Sequence, residues 1–168
     1  MAAERAIEAA MAVLAACRAR SLRLVTAESC TGGLVAATLT EIPGSSDVVE
    51  GGFVTYADEA KEAMLGVPRA LLAAHGAVSE PVVRAMAEGA LARSERADIA
   101  VAITGIAGPG GGTAAKPVGL VYIAAARRGG RLLCERHLYL GDRHAVREAG
   151  LERALALLLH AALEEEPR

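Results

Sequence analysis

Aromatic residues are almost missing from this chain of 168. Phe53, Tyr56, Tyr122 and Tyr139 are the whole set, and there is no tryptophan. Surfaces that stack the bases of a single strand are built from such rings, so their scarcity argues against that kind of partner. A formal net charge of −2, with no basic stripe, argues against a duplex binder as well. Cysteine is also sparse: Cys17, Cys30 and Cys134 are too few and too scattered for a disulfide framework or a zinc pattern. Their odd number fits a reducing compartment. His75, His137, His144 and His160 show no metal-ligand spacing. No apolar run reaches the ~18 residues of a membrane span. The N-terminal Ala2-Ala-Glu-Arg-Ala-Ile-Glu carries acids where a signal peptide needs basic residues. These absences lead to the expectation of a cytoplasmic protein with no nucleic-acid, membrane or metal partner.

What is abundant is small and aliphatic. The hydrophobic fraction is 53%, so alanine, leucine and valine must build the core, as in close-packed helices lying on a sheet. The length suits one domain, residues 1–168. Helical spacing puts Ile7, Met11, Leu14 and Ala15 on one face of a helix from Ala3 to Arg18. Strands are expected at Leu22–Thr26, Val48–Tyr56, Ala97–Thr104, Gly119–Ala126 and Arg131–Leu140. Helices are expected at Leu34–Leu39, Asp58–Met64 (Asp58 as cap), Arg69–His75, and from a Ser79 cap to about Ser94. A last helix runs from Gly141-Asp142 to about Glu165. Arg127-Arg-Gly-Gly130 reads as a hairpin turn. The pattern predicts an α/β fold: a three-layer α/β/α arrangement with a mixed sheet of about five strands.

The first strand leads to Ser29, followed by Cys30, Thr31 and the pair Gly32-Gly33 before a helix begins. A serine at such a corner lies beside free backbone N–H groups, which can hold an oxyanion or a phosphate. Ser29 or Thr31 equally suits a plain helix N-cap without chemistry. Cys30 is the one thiol to weigh as a nucleophile, against an inert buried thiol. A second loop, Thr104 to Thr113, is rich in glycine but matches neither a P-loop nor a dinucleotide fingerprint. Ligands in open α/β sheets bind beyond the carboxyl ends of strands, so the two loops are placed to share a crevice. Tyr56 and Lys61 can face the same pocket, and lysine serves as a base only where burial or nearby cations keep it neutral. Arg143 and Arg147, one turn apart, are spaced to grip one anion, or to lie on an exposed helix face. With no histidine in a triad order, the base available to Ser29 is lysine.

Taken together, the blocks Thr26-Ala-Glu-Ser-Cys-Thr-Gly-Gly33, Pro43-Gly-Ser-Ser46, Glu50-Gly-Gly-Phe-Val-Thr-Tyr56, Glu59-Ala-Lys61 and Gly76-Ala-Val-Ser79 resemble the CinA C-terminal domain family. Thr104-Gly-Ile-Ala-Gly-Pro-Gly-Gly-Gly112, Lys116-Pro-Val-Gly119 and Gly141-Asp-Arg143 continue the resemblance in order, from about Leu24 to Arg147. The resemblance implies a free-standing nicotinamide-nucleotide amidohydrolase that turns nicotinamide mononucleotide into nicotinate mononucleotide and ammonia. It implies Ser29 as nucleophile and Lys61 as base, with Tyr56 and Thr104 around them. The substrate is then expected against Cys30, Thr31, Gly105, Gly108, Gly110, Gly111 and Arg143, with no metal and no cofactor. Ala114-Ala115 departs from the pattern, since members often carry an acid there. A homodimer or other homo-oligomer is expected.

Two other readings stay open on the residues alone. One is a non-catalytic module that senses a nucleotide in the same crevice, with Ser29 as a cap. The other is phosphoryl transfer on the glycine loop, against which the missing P-loop lysine counts.

Overall fold

The computed structural model describes residues 2–165; residues 1 and 166–168, the ends of the expected domain, lie outside the described residues. Five strands form one sheet in the order β2-β1-β3-β4-β5: β1 (Leu24–Glu28), β2 (Val49–Val54), β3 (Ile99–Gly105), β4 (Leu120–Arg127) and β5 (Leu132–Leu138). β1 runs parallel to β2 and β3, while β4 and β5 are antiparallel additions. The sheet is therefore mixed, as the sequence predicts. α1 (Ala2–Ala19), α2 (Leu34–Thr40) and α6 (Arg143–Leu163) cover one face; α3 (Asp58–Leu65), α4 (Arg69–His75) and α5 (Glu80–Ala92) lie on the other. The result is a three-layer α/β/α arrangement.

Strand side chains alternate between the two layers, and the alternation sorts them by size. Ile99, Val101, Ile103, Val121 and Ile123 face the α1/α6 core. Ala27, Ala100, Ala102, Ala124 and Ala126 face α5, so that helix rides low on a bed of methyl groups. The α1 face differs from the expected one. Its buried residues are Ala6, Ala10, Val13, Leu14, Ala16 and Cys17, whereas Met11 is 54% exposed and Ala15 is exposed. Small residues let α1 approach α6 closely, and that contact outweighs the larger Met11 side chain.

Other boundaries shift for local reasons. β1 continues through Glu28 instead of stopping at Thr26, and Ser45–Asp47 forms a single 3-10 turn inside the Glu41–Asp47 loop. Ala57, not Asp58, is the N-cap of α3. Ser79 does stand at the α5 N-cap, but its hydroxyl donates to Gly76 O instead of accepting from the helix. Asp142 caps α6 through a bond from Ala145 N–H.

One close approach fixes the helix that bears Lys61. On α5, a Cβ added at Gly89 would stand 2.1 Å from the Leu65 carbonyl oxygen at the end of α3. Gly89→Ala is expected to cost about 1–3 kcal/mol as an overpacking change. Urea unfolding checks it, and an unchanged midpoint would show that α3 has room to give.

Candidate active site

The chain leaves β1 toward α2 on one face of the sheet and leaves β2 toward α3 on the other. β1 and β2 are neighbours, so their carboxyl ends meet at a topological switch point, the place where open α/β sheets bind ligands. Ser29 follows β1 directly, and its N–H donates to Ile103 O of β3 at 3.0 Å. Lys61 reaches the same point from the second turn of α3.

Lys61 is wholly buried, and its Nζ lies 2.9 Å from Ser29 Oγ. Nζ also lies 2.6 Å from Thr55 O and 3.2 Å from Tyr56 O. A neutral amine has two N–H donors and one lone pair. The two carbonyls account for both donors, which leaves the lone pair facing the Ser29 hydroxyl. Burial pushes the Lys61 pKa down from its ordinary value, against smaller upward contributions from Asp58 and Cys30. The same three oxygens would accept the three N–H groups of an ammonium, so it is desolvation that draws Lys61 toward the neutral amine.

Neither Ser29 nor Thr31 caps α2. Its N-cap is Gly33, at φ 102, with no side-chain cap of its own. Glu28 does that work from the end of β1: Oε1 accepts from Val35 N–H at 2.8 Å and Oε2 from Ala36 N–H at 3.0 Å. Thr31 Oγ1 also donates to Glu28 Oε1, at 2.7 Å. A buried carboxylate at the positive end of a helix is stabilised by those amides, and it ties strand, turn and helix together. Residue patterns gave no sign of this role, because most of the partners are backbone groups seven and eight positions onward.

The Thr31 N–H donates to no acceptor among the described residues, while the Cys30 N–H lies against its own Sγ; both adjoin Ser29. Burial pushes the Cys30 thiol up to about 11, which keeps it protonated and unreactive near neutral pH. Cys30→Ala is expected to keep activity within about threefold, as a packing change without loss of a reacting group. A loss of about 10³-fold or more in a folded Cys30→Ala protein would make the thiol the nucleophile.

The remaining expected residues are spread around this pair. The Tyr56 ring is 59% exposed, and its hydroxyl accepts from Arg143 Nη2 at 2.9 Å; only its backbone carbonyl touches Lys61. Thr104 Oγ1 donates to Ala77 O at 3.0 Å, which ties β3 to the loop before α5 and makes no bond to Ser29 or Lys61. Gly105 closes β3 opposite Val121, within the sheet. The loop beyond it is ordered: Arg143 Nη1 donates to Gly108 O at 2.8 Å, and Thr113 N–H to Lys116 O at 2.7 Å. The N–H groups of Gly108, Gly110 and Gly111 have no acceptor among the described residues, so the loop offers donors to an anion. Arg143 and Arg147 do not converge on one point, since Arg147 turns to the carbonyls of Cys30 and Thr31. A cleft of about 470 Å³ lies between Pro109, Val118 and Arg143.

The model of the CinA C-terminal domain family matches residues 6–162. The chain belongs to that family. A CinA-like protein of Akkermansia muciniphila is 59% identical over 146 residues, which are 87% of this chain and 35% of that protein. The chain therefore spans about a third of the length of such CinA-like relatives. Nicotinamide-nucleotide amidohydrolase PncC of Escherichia coli (strain K12) is 52% identical over 149 residues, 89% of this chain and 90% of PncC. Among solved structures, the competence/damage inducible protein CihA of Agrobacterium tumefaciens superposes with a TM-score of 0.91 at 49% identity, over 94% of this chain and 95% of that one. Membership in the CinA C-terminal domain family and the three-layer fold agree with each other.

Proposed function

We propose that this CinA-family chain hydrolyses the carboxamide of nicotinamide mononucleotide to nicotinate mononucleotide and ammonia, through an acyl-enzyme on Ser29. The observation that carries the mechanism is the buried Lys61 amine 2.9 Å from Ser29 Oγ, its N–H groups met by two carbonyls. The likeness to PncC over nearly the whole of both chains supports the choice of substrate.

Lys61 Nζ takes the Ser29 proton as Oγ attacks the carboxamide carbon. The N–H groups of Cys30 and Thr31 receive the oxyanion, each such donor contributing about 3 kcal/mol to the transition state. Lys61 returns the proton to the departing nitrogen, and ammonia leaves. Water then attacks the ester, giving its proton to Lys61, which restores it to Ser29 Oγ as nicotinate mononucleotide departs. The Tyr56 carbonyl holds Lys61 in place, and Thr104 holds the wall beside it. Arg143 and the amides of Gly108, Gly110 and Gly111 receive the 5′-phosphate, with Gly105 setting where that loop begins.

The protein works as one domain on a small nucleotide, in the cytoplasm and as a homodimer or other homo-oligomer. Three unpaired cysteines support a reducing compartment, and the exposed Leu138, which ends β5, and Leu140 just after it support self-association. No helix among the described residues is long and apolar enough to cross a membrane. Ammonia release from nicotinamide mononucleotide by the purified protein, with matching nicotinate mononucleotide, tests the activity. Tight binding with no release would leave a nucleotide-sensing module instead.

A further inference from the structure

Arg147 of α6 is committed to backbone in the turn that bears Ser29. Its Nε donates to Cys30 O at 3.1 Å and its Nη2 to Thr31 O at 3.0 Å. Those oxygens belong to the peptide units that supply the Thr31 and Gly32 N–H groups. Within a trans peptide the N–H points away from the carbonyl, so holding the oxygens sets the direction of both donors. The Gly32 N–H closes the turn onto Ser29 O at 3.0 Å, while the Thr31 N–H has no acceptor among the described residues. A cation on the Cys30 carbonyl also polarises that peptide and makes its N–H a stronger donor. Glu28 anchors the same turn through the Thr31 hydroxyl and the start of α2.

We propose that Arg147 is a positioning residue that aims and strengthens the Thr31 N–H as an oxyanion donor. The proposal rests on the Ser29 reading given above and concerns how the donor is shaped.

Arg147→Met is expected to lower kcat about 10–100-fold, the scale of a displaced or weakened oxyanion donor, with KM within about threefold. Arg147→Lys should recover part of the loss, because an ammonium can reach one carbonyl. Arg147 lines surface clefts, so guanidinium ion at millimolar concentration should restore part of the rate of Arg147→Ala. Three results would overturn the proposal: an unchanged kcat, an intact kcat with a raised KM (an arginine that grips substrate), or a loss that neither lysine nor guanidinium relieves.

A fluorophosphonate separates this proposal from the choice of substrate. Ser29 Oγ forms a bond to phosphorus, fluoride leaves, and the serine proton passes to Lys61. Labelling of Ser29 in the wild type that slows in Arg147→Met supports the role even if nicotinamide mononucleotide is not turned over. Equal labelling overturns the role of Arg147 alone. Absence of labelling in the wild type overturns the Ser29 reading along with it.

Discussion

Ser29→Ala is expected to reduce ammonia release from nicotinamide mononucleotide by about 10⁴-fold or more, the scale seen when a serine nucleophile is removed. The fold should not register the change. The Ser29 N–H to Ile103 O bond and the Glu28 cap use backbone and neighbouring groups that the variant keeps. Only the hydroxyl opposite Lys61 Nζ disappears. Nucleotide affinity should persist as well, because the glycine-loop amides and Arg143 are untouched. Calorimetric binding alongside an ammonia assay separates these quantities. Turnover within tenfold of the wild type, an assigned limit set about 1,000-fold above the predicted rate, would take Ser29 out of the chemistry.

Loss of the base is the second large effect. Lys61→Met should lower kcat by about 10³-fold or more, because the Ser29 proton then has no acceptor of suitable basicity. The pH profile gives the sign. Burial lowers the Lys61 pKa below its ordinary 10.5, so the wild-type rate should rise with pH through that lowered midpoint and level off above it. Below the midpoint the lysine is protonated and the rate falls tenfold per unit. The residual rate of Lys61→Met should lack this acid limb. Stability carries the same signature: between the folded-state midpoint and 10.5 the unfolded chain holds a proton that the folded chain has released. Unfolding free energy from Lys61 therefore rises with pH across that window and is flat below it. Urea midpoints for the two proteins across this window check the sign; a variant that keeps the acid limb would assign it to another group.

How much of this was legible in the residues follows from where the partners sit. Ser29 and the glycine loop stood out because strands and loops announce themselves locally, in apolar runs and glycines. The residues point to a lysine base for Ser29 by the lack of a suitable histidine, and the family resemblance assigns it to Lys61; nothing local says that α3 folds back over the end of β1. The role of Glu28 is not legible in the sequence because it caps a helix that begins six residues later, and it answers backbone amides that carry no residue signature. The function of Arg147 is set 116 and 117 positions away, by two carbonyls. The α1 face differs from the expected one because alanine weighs little in a hydrophobic pattern, whereas in this chain close helix contact is built from alanine.

The charge state of one amine carries the mechanism, and the chain makes it unusually easy to read: Lys61 and Lys116 are its only lysines. Protein labelled with 13C at lysine Cε should give two side-chain signals, assigned with Lys116→Arg. The Lys61 signal is expected to titrate at a midpoint below 10.5, at the same pH as the acid limb of the rate. A Lys61 midpoint at or above 10.5 would contradict the mechanism, because the amine beside Ser29 would then be a cation under working conditions.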